Sequence, residues 1–180
     1  MRDIAVQAMR LCRYAGGCKI FWPVGMHLLV VADLLPGELE HHALLHDAAE
    51  CVVSDVPRPM KTKPQRALEH RVLRRIYQSL GLRLPTPDEE KLIHAADIRA
   101  VNAEGPMESG PRGFAETQPG IDWKDVEAQK ITARYLAGFN PLECINADGY
   151  WVRALERRMR KAITRVHSSA TYSKQYTSPA

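Results

Sequence analysis

The sequence predicts an all-α fold, a bundle of helices around one core. Apolar residues recur every three or four positions along most of the 180-residue chain, glycine and proline cluster between those stretches, and no stretch has a convincing strand pattern. The length suits one domain with a substantial core, and an apolar content of 45% is ordinary for a globular protein.

Each element follows from its own pattern. Residues 3–14 place Ile4, Ala8, Met9, Leu11 and Cys12 at helical spacing, and Gly16-Gly17 ends the run. After an irregular stretch with Phe21, Trp22 and Pro23, residues 26–35 are apolar apart from His27 and Asp33, which predicts a buried helix closed by Pro36-Gly37. Residues 39–53, around HHALLHDAAE, are too long and too rich in Ala and Leu for a strand, so one continuous third helix is expected. The segment SDVPRPMKTKP contains three prolines and must be a loop. Leu68, Val72, Leu73, Ile76, Tyr77 and Leu80 then mark one face of a helix over 65–80, with Gly81 as its stop. Thr86-Pro87-Asp88-Glu89 has the parts of a helix start, and that helix should reach Glu104 before Gly105-Pro106. Residues 105–120 read as a surface loop over or beside the pocket, and Asp122 as the cap of a helix through Ala137. Residues 1–140 are expected to form the main domain, with a basic helix over 141–166 packed on it and a disordered tail over 167–180.

Several function classes are disfavoured. No apolar run approaches the ~18 residues of a membrane span, and the first residues lack the order of a secretory signal, so a cytoplasmic location is expected. Cys12, Cys18, Cys51 and Cys144 form no CxxC pair and are read as reduced thiols. The net charge of +4 is mild, although RALERRMRKAITR concentrates basic residues that could lie along phosphates. A solvated face or a subunit contact explains that helix as well, and a nucleic-acid role leaves the buried acids unexplained.

Those buried groups carry the chemistry. His27 and Asp33 interrupt one apolar stretch, His46 and Asp47 another, and Asp97 lies within LIHAADIRAV. An unpartnered charge inside a core is costly, and metal coordination satisfies several at once. Glu50 follows His46 by four residues, the position for a carboxylate that stands beside a metal as general base. Asp55 precedes the proline loop, where it serves either as a turn carboxylate or as a contact to a substrate hydroxyl. His42 and His94 lie three or four residues before a proposed ligand and are read as supporting or surface groups.

The string HDAAECVVSDVPRPMK resembles the HDxxE…D.P.P.K signature of the HD-domain phosphohydrolases, in their short nucleotidase branch. RYAGGCKIFWPVGMH is similar to the branch's RFGG…FYSVAQH form, and HAADIRAVNAE with the helix around Trp123 extends the likeness to about Phe139. The resemblance implies an HD-domain helical bundle in which His27, His46, Asp47 and Asp97 bind one divalent metal between helices. It also implies that Glu50 is the catalytic carboxylate, Asp55 the contact to the sugar and Lys61 a phosphate-binding lysine. Imidazole and carboxylate ligands suit Co²⁺, Mn²⁺, Zn²⁺ or Fe²⁺ better than Mg²⁺, with a further Mg²⁺ or Mn²⁺ expected on the substrate's phosphates. The implied substrate is a small deoxynucleotide. The short phage members that convert dATP to deoxyadenosine and triphosphate are the nearest likeness, which would place the activity in a host cytoplasm, and 5′-deoxynucleotidase action on monophosphates is the alternative. Arg13, Lys61 and Lys63 are candidates for the phosphate tail. Trp22, Phe21 and Ile20 are candidates for stacking on the base or pressing on the sugar, and equally for core packing. A homo-oligomer, dimer or hexamer, is expected, with apolar surface near Trp123 and Trp151.

Overall fold

The computed structural model describes residues 1–57, 60–104 and 125–169, and every named element among them is helical. The α-helices are α1 (Arg2–Arg10), α2 (Val24–Asp33), α3 (Glu40–Ala43), α4 (Glu50–Val53), α5 (Lys63–Ser79), α6 (Pro87–Glu104), α7 (Val126–Ala137), α8 (Pro141–Ile145) and α9 (Tyr150–Ser168). The expected all-α fold is thus present.

α2 is the axis of the bundle. Every residue from Val24 to Ala32 is buried, and the helix packs against α1, α3, α6 and α7. Such a helix must be apolar on all sides, which is why its sequence shows no polar face. Full burial of each of its Leu and Val side chains contributes about 1.5–3 kcal/mol. α9 closes the other side against α1, α3 and α8, placing Trp151, Val152, Leu155, Met159, Ala162 and Ile163 in the same hydrophobic cluster as α2. The core therefore continues across residue 140 without a break.

Several boundaries differ from those the sequence predicts. The expected helix over 39–53 is split into α3 and α4 by tight turns over 44–49. The Nδ1 of His46 sits 2.7 Å from the Ala43 carbonyl, the acceptor that a continuous α-helix would give to the Asp47 amide. Bonds of the i→i+3 type replace the helical ladder there, from Leu45 N–H to His42 O, Ala48 N–H to Leu45 O and Glu50 N–H to Asp47 O. α1 ends at Arg10, earlier than expected, because residues 11–24 close on themselves through Arg13 N–H to Trp22 O and Val24 N–H to Leu11 O. α5 begins two residues early because Thr62 and Gln65 form a reciprocal capping box. α8 was not anticipated, although Asn140 accepts from Leu142 N–H and Pro141 occupies the first helical position. α9 runs two residues past Val166. α7 begins at Val126 with Asp125 as its cap, accepting from Ala128 N–H at 2.9 Å, and not just after Asp122 as expected; the expected loop over 105–120, Trp123 and the tail from 170 onward lie outside the described residues.

Asp33 is drawn away from the interior. It accepts 2.8 Å from Tyr135 Oη, pairs with Arg134 and lies 2.5 Å from Arg158, whose Nε lies 2.7 Å from Glu40. Arg165 also reaches Glu40, and Arg160 pairs with Glu156. Four exposed-helix cations, three of them on α9, are thereby committed to acids of this chain. Among the described residues no helix is long and apolar enough to cross a membrane.

The turn entering α9 is tight. A Cβ built on Gly149 would overlap the carbonyl of Glu143, a backbone atom that cannot swing aside. Gly149→Ala is expected to destabilise the fold by about 1–3 kcal/mol, seen as a lower urea midpoint at unchanged slope.

Candidate metal centre

Three segments bring their polar groups to one point. α2 supplies His27, the turn before α4 supplies His46 and Asp47, and α6 supplies Asp97. Ligand atoms of His27, His46 and Asp97 all lie within 4.8 Å of one another, so this group could hold a metal ion. Asp47 stands beside it, its Oδ2 3.2 Å from His46 Nε2 and 3.8 Å from His27 Nε2. Both Nε2 atoms are buried without a hydrogen bond, while carboxylate oxygens converge on them. A cation satisfies such an arrangement, and the mixed nitrogen and oxygen donors fit a divalent transition ion.

α6 holds both edges of the His27 ring. Asp97 and Glu104 are seven residues apart, two turns along one helix face, roughly 10 Å in rise. Asp97 Oδ1 lies 3.2 Å from His27 Nε2, and Glu104 Oε1 lies 3.0 Å from His27 Nδ1. Glu104 is fully buried and also ion-pairs with Arg13 Nε at 3.1 Å. A carboxylate on Nδ1 keeps the proton there and leaves the Nε2 lone pair for a metal; the Ala43 carbonyl does the same for His46. Glu104 was missed in the sequence, where an acid just before Gly-Pro looks like an ordinary helix end.

The electrostatics follow from this crowding. Burial opposes charge on the His46 ring, but Asp47 more than offsets it and pushes the imidazole up to about 9. His27 is also raised: burial and Arg13 lower it, and Glu104 and Asp97 prevail. Burial would raise Asp47 and Asp97, yet the neighbouring imidazoles hold both below the usual carboxylate range. Glu50 goes the other way. Burial first, then Asp47 and Asp55, push its carboxyl up to about 9 against Lys61 and Arg13.

Glu50 sits where the turn ends, with Oε1 accepting 3.0 Å from Lys61 and a buried Oε2 that makes no hydrogen bond. Lys61 is shared with Glu69, also at 3.0 Å. Two pockets flank the turn. One, of about 180 Å³, is lined by His46, Asp47 and Glu50 with Lys61, Arg66, Glu69 and His70. The other, of about 200 Å³, runs past His46, Asp47 and Asp97 to His42, Tyr77 and Ile93. His42 is buried, its Nδ1 3.0 Å from Tyr77 Oη, and burial lowers it to about 3, so the ring is neutral.

The remaining candidates are placed as follows. Asp55 accepts from the Tyr14 amide at 2.6 Å, tying down a loop whose Tyr14 and Ala15 have positive φ. Arg13 is buried between Glu104 and Asp47, 3.8 Å from the latter, and so braces the site from below. Trp22 is fully buried against Phe139, ring centroids 5.4 Å apart, and belongs to the core. Phe21 stacks on the same ring at 6.5 Å, and Ile20 is partly exposed; none of these three lines either pocket. Lys63 is exposed at the start of α5 and also lines neither. Arg66 and His70 were not anticipated, although positions 66, 69, 70 and 73 share one face of α5.

No family model matches the chain, and no solved structure matches it. The chain is 39% identical over 61 residues to the uncharacterized protein YfdR of Escherichia coli (strain K12), a match that covers 34% of each. It thus spans about a third of that relative's length.

Three outcomes are expected. Glu104→Gln should weaken metal binding about 10–100-fold while leaving the helical circular-dichroism spectrum intact, because the ring of His27 loses its charged support. Since protonated imidazoles cannot bind a metal, affinity should rise between pH 6.5 and about 9, by up to about tenfold per unit for each proton displaced. In the metal-free protein the raised value of His46 stabilises the fold below pH 6.5, and that contribution fades as pH rises through 9. Calorimetry in buffers of different ionisation enthalpy would count the released protons; none released at pH 7 would contradict this charge state.

Proposed function

We propose that the chain is a metal-dependent phosphohydrolase of the HD type that acts on deoxynucleotides, foremost dATP, which it cleaves to deoxyadenosine and triphosphate. The convergence of His27, His46 and Asp97, with Asp47 beside them and Glu50 lining a pocket, is the observation that supports this reading most.

His27, His46, Asp47 and Asp97 would hold the ion, with Co²⁺, Mn²⁺, Zn²⁺ or Fe²⁺ suited to that donor set. When bound it supplies a Lewis acid for a phosphoryl oxygen and makes water a better nucleophile near neutral pH. With a cation on the metal group and Lys61 alongside, Glu50 would be ionised; its Oε2 then takes the proton of the water that attacks the phosphorus nearest the sugar and passes that proton on to O5′ as the bond from phosphorus to O5′ breaks. Lys61 fixes Glu50 through Oε1 and adds positive charge that favours its ionised form. Arg13 and Glu104 orient the ligands and exclude water beneath them. Asp55 holds the loop that carries Arg13.

Product analysis by chromatography, with Co²⁺, Mn²⁺ or Zn²⁺ supplied against dNTPs, NTPs and dNMPs, tests this. Deoxyadenosine and triphosphate are expected from dATP, and Glu50→Ala should reduce the rate by about 10²–10⁴-fold, with Asp47→Ala abolishing turnover and metal binding together. Turnover of dNMPs instead would identify a 5′-deoxynucleotidase, and no turnover of any nucleotide would refute the reading.

A further inference from the structure

The two pockets beside the His46–Asp47 turn differ in kind. Lys61 and Arg66 line the first, and His70 faces it alongside Glu50 and Glu69. No lysine or arginine lines the second, whose walls are Leu73, Tyr77, Pro85 and Ile93, with Glu90 and His94 also on its lining. A phosphate tail in the second pocket would lie against Glu90 and Asp97 with no fixed cation of the chain to pair with. A planar aromatic group suits it better, since its faces can meet Leu73, Pro85 and Ile93.

One polar atom there makes no hydrogen bond. His42 is buried, its Nδ1 is engaged by Tyr77, and its Nε2 makes no hydrogen bond, the Glu89 carboxylate standing 3.8 Å away. A buried nitrogen without a hydrogen bond, on a residue that lines a pocket, is costly when unanswered and selective when a ligand pairs with it. The Trp22 region offers no comparable place, because that indole is in the core.

We propose that the pocket formed by Tyr77, Pro85, Ile93 and His42 is the subsite for the substrate's uncharged heterocycle, with His42 Nε2 as its hydrogen-bonding contact, and that the Lys61–Arg66–His70 side takes the charged tail. This rests on the deoxynucleotide reading. A substrate then lies across the metal group, base toward α6 and phosphates toward the start of α5.

Isothermal titration of the full chain in Zn²⁺-containing buffer with two probes, deoxyadenosine and tripolyphosphate, tests it. Ile93→Trp and Pro85→Trp, which fill the pocket, are expected to weaken deoxyadenosine by about tenfold or more and to change tripolyphosphate by less than about twofold; Arg66→Ala should do the reverse. His42→Gln should weaken deoxyadenosine alone. Pro85 is partly exposed in a loop, so its variant decides the matter if Ile93→Trp fails to fold. Deoxyadenosine binding that ignores both fillings, or tripolyphosphate binding that is lost with them, overturns the assignment even if nucleotides are hydrolysed. A wild-type protein that neither binds deoxyadenosine nor hydrolyses nucleotides overturns both this and the function it rests on.

Discussion

Burial of His27 is the constraint on which the rest of the structure depends. The residue sits on a helix with no solvent-facing side before Asp33, so its imidazole cannot be hydrated and both nitrogens must be answered by the protein or by an ion. α6 answers one edge with Glu104 and approaches the other with Asp97. Glu104 is itself a buried charge, which requires Arg13, and Arg13 is held in place by a loop that Asp55 ties down. One buried ring thus dictates the packing of α2 on α6, the path of residues 11–23 and the position of an acid 77 residues away in sequence.

The break between α3 and α4 belongs to the same logic. A regular helix spaces adjacent side chains about 100° apart, so His46 and Asp47 could not both face one point across a flat interface. Tight turns over 44–49 bring His46 Nε2 and Asp47 Oδ2 within 3.2 Å of each other and leave Glu50 to restart the helix. Surrendering the Ala43 carbonyl to an imidazole costs one backbone bond and fixes the orientation of that ring in return. Local irregularity here has a physical function: it converts two neighbours in sequence into two neighbours in space.

What was legible in the sequence follows from contrast. His27, His46, Asp47 and Asp97 stand out because they interrupt apolar stretches, and the helices that carry His27 and Asp97 were legible from an apolar run and from a capping motif. Glu104 escaped notice because its neighbours in sequence resemble a helix end, and only the pairing of α2 with α6 reveals that it is fully buried. The split helix could not be anticipated from apolar periodicity, which registers faces but not a carbonyl taken by a side chain. Trp22 shows the opposite limit. Its type fits a binding surface and a core equally well, and the choice is made by Phe139, more than 100 residues away.

The same contrast separates two kinds of basic residue. Arginines of α9 look conspicuous as a run, yet Arg158 and Arg165 are paired with Asp33 and Glu40, so part of the run's charge serves to hold the last helix to the bundle. Lys61 is a single unremarkable residue in a proline loop, yet its two acidic partners, Glu50 and Glu69, place it beside the metal group. Coulombic attraction between exposed charges is weak in water and strong where apolar walls exclude it. Charge density along the chain therefore points to α9, whereas charge confined in a partly buried cleft, where it can alter the ionisation of Glu50, is found at Lys61 and Arg13.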